Sequence, residues 1–182
     1  MIFNSIQEFF GKKSLIVGEV NTGKTSYTAK ILQRFFDEGI LNPTIIDMAP
    51  RSTKGIGGKM KIDSRHSGKY VTTEIVAPRL VGKSVDETRM LAERNAGLID
   101  EVFAVYLKKP GEVLFINDIS IYLQAGDLDK LLAYLQTTPT VVMNGYYGAS
   151  LGGGELGKRE RKQMKRLQEC CDRVIHAPAP GT

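Results

Sequence analysis

Short apolar runs recur along the chain, and each is bounded by charged residues, glycine or proline. Runs of this length and composition are typical of strands that are buried on both faces of a parallel sheet. The pattern predicts strands at residues 14–17, 44–48, 113–116, 140–143 and 173–176. Residues 70–76 alternate only weakly between apolar and polar side chains, so a further strand there stays open.

The stretches between these runs carry apolar residues three and four positions apart, which predicts amphipathic helices. The predicted helices span residues 24–36, 84–109, 127–136 and 158–171, after a short helical lead-in at 5–10. Strands that alternate with helices predict a three-layered α/β fold, in which a mostly parallel sheet of about five strands lies between helices. A chain of 182 residues is long enough for one such core, so residues 1–182 are predicted to form a single domain.

One segment, GEVNTGKT at residues 18–25, matches the pattern G-x-x-x-x-G-K-[ST] of a phosphate-binding P-loop. Two glycines permit the turns that direct several backbone N–H groups at one phosphate, and the positive end of the next helix faces the same anion. Lys24 is expected to reach the β- and γ-phosphates, and the Thr25 hydroxyl to join the shell of a Mg²⁺ ion. Because the segment lies between a predicted buried strand and a predicted amphipathic helix, it predicts binding of a nucleoside triphosphate with Mg²⁺. The residues expected to surround that nucleotide are Gly18, Glu19, Val20, Asn21, Thr22, Gly23, Lys24, Thr25 and Ser26.

Phosphoryl transfer also needs a carboxylate near the metal and the nucleophile. The predicted strand at 113–116 is followed by Asn117 and Asp118, and Asp118 is therefore a candidate for both metal binding and catalysis. Two assignments stay open: Asn117 takes the metal-side position while Asp118 activates water, or Asp118 is itself the metal-side acid. Asp47 closes the second predicted strand in the same way and is a further candidate metal ligand. Each aspartate can equally be a turn residue at the end of its strand.

With these motifs in this order, the chain resembles the P-loop NTPase superfamily, and its RecA-like subgroup in particular, over nearly its whole length. The segments VLFINDISIYLQAGDLDKLLAYLQ and TVVMNGYYG are similar to the same region of cobalamin adenosyltransferases and type II thymidine kinases. The first third, GEVNTGKTSYTAKILQRFFDEG followed by TIIDMAP, is similar to polynucleotide 5′-hydroxyl kinases and MinD-like ATPases. The resemblance implies a RecA-like sheet with either ATP hydrolysis or group transfer. The chain departs from these families where an Asp-Glu pair is replaced by Asn117-Asp118, and it lacks the zinc-binding cysteines of the thymidine kinases.

Two loops are expected to complete the site. Residues 145–157 are rich in glycine and form a candidate lid, and Arg159 and Arg161 follow directly. Arginines that enter from a mobile segment stabilise the charge on a transferring phosphoryl group, so these two are candidate catalytic residues; the alternative is a solvated face of a basic helix. Residues 51–69 form a second loop, whose cations are expected either to line an acceptor pocket or to contact a partner. Those cations are Arg51, Lys54, Lys59 and Arg65.

Charge and composition narrow the classes of partner. A net charge of +5 and a pI near 9.2 permit an anionic partner, but the basic stretches do not interleave aromatic residues, so nucleic-acid binding stays undecided.

No apolar run approaches the roughly 20 residues that span a bilayer, and the first residues lack the pattern of a signal peptide. A cytoplasmic protein without membrane association is therefore expected. Cys170 and Cys171 are expected to fill space late in a helix rather than to form a disulfide.

These features predict a magnesium-dependent ATP-binding protein, with ATP and Mg²⁺ as its ligands. The predicted activity is ATP hydrolysis that is regulated by a protein partner or by formation of a homo-oligomer. Two alternatives stay open. One is a kinase or adenosyltransferase with a small-molecule or polynucleotide acceptor, and the other is a non-catalytic module whose binding to a partner depends on the nucleotide.

Overall fold

A computed structural model of the chain describes residues 5–40, 42–52, 55–63, 69–152 and 154–178. The strands are β1 (Lys13–Gly18), β2 (Thr44–Asp47), β3 (Lys69–Thr72), β4 (Val113–Asn117), β5 (Thr140–Tyr146) and β6 (Arg173–His176). All six form one parallel sheet in the order β3-β2-β4-β5-β1-β6. The carboxyl ends of β1, β2 and β4 therefore lie at the same edge of the sheet, and the predicted polar residues at those ends share that edge.

Helices connect these strands, and side-chain caps fix where several of them begin. Ser84 accepts a hydrogen bond from the backbone of Glu87 at the start of the longest helix, and Asp127 caps another by accepting from Asp129 and Lys130. The helices are α1 (Lys24–Asp37), α2 (Pro78–Val81), α3 (Val85–Tyr106), α4 (Ser120–Leu123), α5 (Leu128–Gln136) and α6 (Glu155–Glu169), and a short 3₁₀ helix (Ile6–Glu8) precedes β1.

Two hydrophobic layers lie on opposite faces of the sheet, because successive side chains of a strand point in opposite directions. In β1, Ile16 belongs to the layer that contains the apolar face of α1, whereas Leu15 and Val17 belong to the other layer. That second layer includes apolar side chains of α3, α4, α5 and α6. This arrangement confirms the predicted three-layered α/β fold.

The structure departs from the predicted elements where the sequence signal was weakest. The sheet has six strands rather than about five, because the weakly alternating segment contributes β3. This edge strand spans only Lys69–Thr72, and its side chains are largely exposed, which explains the weak pattern. The short helices α2 and α4 have four residues each, too few to produce a helical period. α6 begins at Glu155, three residues before the predicted start, and α3 ends at Tyr106.

Two predicted features lie near the ends of these elements. Cys170 directly follows α6 and is exposed, so only the half-buried Cys171 packs against the core as predicted. In the loop after β2, Lys54 and Arg65 lie outside the described residues. Across the ranges that the structure describes, no helix is both long enough and apolar enough to cross a membrane.

Candidate functional site

The P-loop connects β1 to α1 through a backbone that glycine and asparagine make possible. Gly23 and Asn21 adopt left-handed φ angles of 77° and 58°. At Gly18, an added Cβ would lie 3.0 Å from the Cβ of Ala177, so a side chain there would press against the segment after β6. No side chain in the described part of the chain caps the first turn of α1, whose amides are therefore available to an anion.

Lys24 lies in the first turn of α1 and folds back over the loop. Its ammonium donates to the backbone oxygen of Glu19 and, at 3.3 Å, to the hydroxyl of Thr22. Burial lowers the pKa of Lys24, while the negative charges of Asp118 and Glu19 oppose that change. Lys24 thus places a partly desolvated cation inside the loop and within electrostatic range of Asp118.

The side chain of Glu19 turns away from the phosphate loop and binds the segment after β5. Its carboxylate accepts hydrogen bonds from the backbone of Ala149 and Ser150 and from the Ser150 hydroxyl. The Ser150 hydroxyl is the main cause of the lowered pKa of Glu19, followed by the Ala149 amide. An added Cβ at Gly148 would lie 2.2 Å from the Glu19 carboxyl carbon, so a side chain there would displace the Glu19 carboxylate from this position. The contact joins the P-loop to part of the predicted lid.

Thr25 is bound to Asn117 at the end of β4. Its hydroxyl donates to the Asn117 side-chain oxygen at 3.0 Å, and the Asn144 amide donates to the same oxygen at 3.1 Å. The Asn144 amide also donates to the Thr28 hydroxyl at 2.9 Å, and the Asn117 amide donates to the backbone oxygen of Gly58 at 3.2 Å. These bonds fix the orientation of the fully buried Asn117, so that its oxygen faces Thr25.

Asp47, at the end of β2, is buried behind Asn117 and holds the following loop. Its carboxylate accepts four hydrogen bonds: from the backbone of Ala49 at 3.0 Å and Met60 at 2.6 Å, from the Tyr70 hydroxyl at 2.7 Å and from the Asn117 amide at 2.9 Å. The Lys59 ammonium lies 4.0 Å from one carboxylate oxygen and donates to the Asp47 backbone oxygen. Asp47 therefore reaches Thr25 through Asn117.

Asp118 follows β4 in a left-handed conformation with φ of 62°. Its backbone N–H donates to the Asn144 side chain at 3.2 Å, and its carboxylate accepts from the Ser120 hydroxyl. Burial raises the pKa of Asp118, against the Ser120 hydrogen bond and the positive charge of Lys24. Burial thus makes this carboxyl a stronger proton acceptor than an exposed aspartate, which is a property of general bases in catalytic sites.

Arg159 and Arg161, the two arginines predicted to enter the site, do not line the cleft that contains the P-loop. Arg159 donates to the backbone oxygens of Ala125 and Gly126 after α4. Arg161 donates to the Gly148 oxygen at 2.7 Å, and its guanidinium lies 5.0 Å from the centre of the Tyr147 ring. Both side chains thus hold neighbouring loops against α6.

A different arginine, Arg79 of α2, lines that cleft together with the P-loop. Its guanidinium donates to both carboxylate oxygens of Glu160 of α6, at 2.8 and 2.7 Å. The Gln124 amide donates to the same carboxylate at 2.7 Å. The sequence contains no signal for this cluster, because Arg79 and Glu160 are 81 positions apart and Glu160 belongs to a charged run that is typical of a solvated helix face.

The cleft has a volume of about 1000 Å³ and is lined by the P-loop, Arg79, Asp118 and part of the loop after β2. Pockets that hold compounds of nucleotide size are commonly about 300–1,000 Å³. Three features on one wall fit a phosphate chain with a hard cation: free amides at the start of α1, the Lys24 ammonium and the Thr25 hydroxyl. The residues present therefore fit a magnesium-bound nucleoside triphosphate.

No protein-family model matches the sequence, and no curated protein matches it. Among solved structures, the fold is similar to that of the flagellar accessory protein FlaH from Methanocaldococcus jannaschii, with a TM-score of 0.55 and 11% sequence identity. The match covers 92% of this chain and 71% of the FlaH chain. At this identity the likeness concerns the fold alone.

Proposed function

We propose that the chain binds ATP with Mg²⁺ at the P-loop and hydrolyses it, under the control of a protein partner or of its own oligomerisation. The observation that carries the proposal is the meeting of Lys24, Thr25 and Asp118 in one cleft, beside the free amides of α1. These groups follow β1 and β4, which β5 separates in the sheet, and their chemistry matches what a transferring phosphoryl group requires.

The residues around the phosphate chain have separate roles in this proposal. The backbone N–H groups of residues 18–26 and the Lys24 ammonium neutralise the β- and γ-phosphates. Bound Mg²⁺ supplies further neutralisation of the charge on these phosphates. Thr25 holds the metal, and the contact between Thr25 and Asn117 favours Asn117 as the metal-side residue. Asp47 does not contact the metal in this proposal; it orients Asn117 by accepting a hydrogen bond from its amide.

Asp118 receives the proton of the attacking water in this proposal. The raised pKa of its carboxyl and its place beside Lys24 support this role over a direct role in metal binding. An amide at position 117 brings no negative charge to the metal. We therefore expect slow turnover by the isolated chain and faster turnover with a partner.

A transferase is the second candidate, and one observation favours it. The cleft extends past the P-loop to Arg51 and Lys59 on one side and to Tyr146 and Leu151 on the other. These two loops are those expected to enclose an acceptor. A transferase would release little phosphate until an acceptor is added, whereas the hydrolase would release phosphate in water alone.

The test compares nucleotide binding and phosphate release in wild type, Lys24→Ala, Asp118→Asn and Lys165→Ala. Lys165 is an exposed lysine on α6 and serves as the matched control. Lys24→Ala is expected to abolish the calorimetric signal of Mg²⁺-ATP binding. Asp118→Asn is expected to retain binding and to lower phosphate release roughly 100-fold or more, because it removes the proton acceptor.

Equal binding by Lys24→Ala and Lys165→Ala would contradict the nucleotide site. Unchanged release by Asp118→Asn would remove Asp118 from the chemistry. Release that requires a small-molecule or polynucleotide acceptor would favour the transferase, and binding without release under any of these conditions would favour a non-catalytic module.

A further inference from the structure

Three side chains from separate elements form a cluster in the wall of the nucleotide cleft. Arg79 of α2 and Gln124, which follows α4, both line the cleft, and both donate to the Glu160 carboxylate of α6. Glu160 is 2% exposed and its bonds occupy both carboxylate oxygens. The guanidinium of Arg79 also lies 5.4 Å from the centre of the Tyr146 ring. The cluster is therefore held rigidly from three sides.

Two members of this cluster retain hydrogen-bonding groups that the described parts of the chain do not satisfy. The side-chain oxygen of Gln124 is buried and has no hydrogen-bond partner there. Arg79 binds Glu160 through Nη2 alone, so Nη1 and Nε make no hydrogen bond within the described ranges. Buried polar groups are nearly always satisfied, and an unsatisfied one calls for a ligand or a water molecule. The Gln124 oxygen is therefore a free acceptor beside the cleft, and the N–H groups on Nη1 and Nε of Arg79 are free donors.

The charges of the cluster act on the proposed proton acceptor. Arg79 is close enough to Asp118 for its positive charge to lower the pKa of that carboxyl, which burial raises. The charges of Asp118 and Glu160 likewise interact, although burial is the main reason that the pKa of Glu160 is raised to about 7. The charges of Lys24, Arg79 and Glu160 therefore all interact with the charge of Asp118 at the cleft.

We infer that Arg79 and Gln124 are catalytic residues of the proposed reaction, and that Glu160 is the residue that positions them. Arg79 binds the terminal phosphate through its free N–H groups, and the Gln124 oxygen accepts a hydrogen bond from the attacking water, through the proton that does not pass to Asp118. This inference rests on the proposed function and supplies from within the domain the arginine that the sequence had suggested at 159 or 161.

The step to which these residues contribute is displacement at the terminal phosphorus. The oxygen of water forms a bond to this phosphorus while the bond from phosphorus to the bridging oxygen breaks. The electron pair of the broken bond leaves with the nucleoside diphosphate, and the proton of the nucleophile passes to Asp118. Arg79 stabilises the charge that spreads over the phosphoryl oxygens, and Gln124 aligns the nucleophile.

The experiment measures Kd for ADP, binding of ADP with aluminium fluoride and kcat for ATP, each with Mg²⁺. The aluminium fluoride complex imitates the transferring phosphoryl group and reports on transition-state contacts without turnover. Arg79→Ala is expected to keep its affinity for ADP, to lose the tighter binding with aluminium fluoride, and to lower kcat roughly 100- to 1,000-fold. Arg89→Ala is the control, because Arg89 lies on the exposed face of α3, where it pairs with the exposed Asp86.

Gln124→Met preserves size and removes the free oxygen without leaving a buried charge unpaired. It is expected to lower kcat roughly 100-fold with ADP affinity unchanged, as misalignment of a nucleophile does. Glu160→Gln is expected to lower kcat in the same way, and to add no further loss in the background of Arg79→Ala and Gln124→Met, because it acts through those two residues.

If Arg79→Ala fails to fold, kcat and aluminium fluoride binding are measured instead on the double variant Arg79→Met with Glu160→Met. This variant removes both buried charges and retains the packing of the side chains. Unchanged kcat and aluminium fluoride binding in a folded variant that lacks the Arg79 guanidinium would overturn the inference while leaving the proposed function intact. A loss caused by Arg159→Ala or Arg161→Ala instead would also overturn it. Failure of the wild type to turn over any nucleoside triphosphate, with or without acceptors, would overturn both.

Discussion

Asn117 is the residue at which the two halves of the candidate site are joined. Its oxygen accepts from Thr25 of the P-loop, and its amide donates to the buried Asp47 carboxylate at 2.9 Å. An asparagine can do both at once because its side chain carries an acceptor and a donor, whereas an ionised aspartate can only accept. The neighbouring Asp47 carboxylate thus gives a physical reason for an amide where the families that the sequence resembles place an acid.

The substitution Asn117→Asp tests this explanation. It would place a second carboxylate against Asp47 in a buried environment, and we expect it to lower the free energy of unfolding by about 3 kcal/mol at pH 7. The facing carboxyls would bind a proton in the folded state that the unfolded chain releases, so the loss should shrink as the pH falls toward 5. Urea unfolding at both pH values measures this.

Asn42→Asp is the control for that measurement, since Asn42 is exposed in the loop before β2. It should change the stability little at either pH. The same loss for Asn117→Asp at pH 7 and pH 5 would mean that the two carboxyls do not repel each other in the fold.

At the scale of single residues, the sequence located the P-loop but not the bonds behind it. Eight consecutive residues carry the P-loop pattern, so a local signal was sufficient. The residues whose side chains bond to the Asn117 side chain are 92, 70 and 27 positions away, at Thr25, Asp47 and Asn144. Only the folded sheet brings these residues together, and no local sequence pattern predicts their contact. For the same reason, the sequence did not predict the contact between Arg79 and Glu160, which are 81 positions apart.

The packing of elements around the site depends on a glycine in β5. An added Cβ at Gly145 would lie 2.7 Å from the Met164 methyl, 3.0 Å from Ile119 and 3.2 Å from the backbone nitrogen of Ser120. α4 and α6 therefore approach β5 closely at this point. Because α4 carries the residues that follow Asp118, the approach also determines the position of that carboxylate.

We expect Gly145→Ala to destabilise the domain by about 1–3 kcal/mol, since the methyl group overpacks this junction. Gly97→Ala is the matched substitution, because Gly97 is exposed within α3 and an added Cβ would have no atom within 4 Å. It is expected to stabilise the domain by roughly 0.5–1 kcal/mol through its better helix propensity. Chemical denaturation of both variants provides the measurement, and equal effects of the same sign would contradict this account.

Long elements with a clear period were predictable, whereas short or exposed ones were not. α1, α3 and α5 each present several buried side chains on one face, and the strands β1, β2, β4 and β5 are short runs of buried residues. β3 is mostly exposed, and α2 and α4 are each about one turn long. Such elements form because of their tertiary contacts, which a periodicity does not reveal.

For the whole molecule, nucleotide binding and stability are linked if the proposed function is correct. A ligand that binds only the folded state raises the free energy of unfolding by about 2.7 kcal/mol when its free concentration is about 100 times its Kd. For a domain of this size, that corresponds to a rise in Tm of about 5–10 °C. We expect this rise with Mg²⁺-ATP in a thermal-shift measurement of wild type and its absence in Lys24→Ala. An equal rise in both proteins would indicate that the ligand binds elsewhere.

The order of strands in the sheet has a consequence for how the molecule is made. β1, the strand that leads into the P-loop, pairs with β5 and β6, which come from residues 140–146 and 173–176. A growing chain on the ribosome therefore carries its phosphate loop without either neighbouring strand until most of the domain has been synthesised. Of the six strands in the sheet, β1 is synthesised first, yet both of its partners come late, and its exposed apolar residues must avoid aggregation in the meantime.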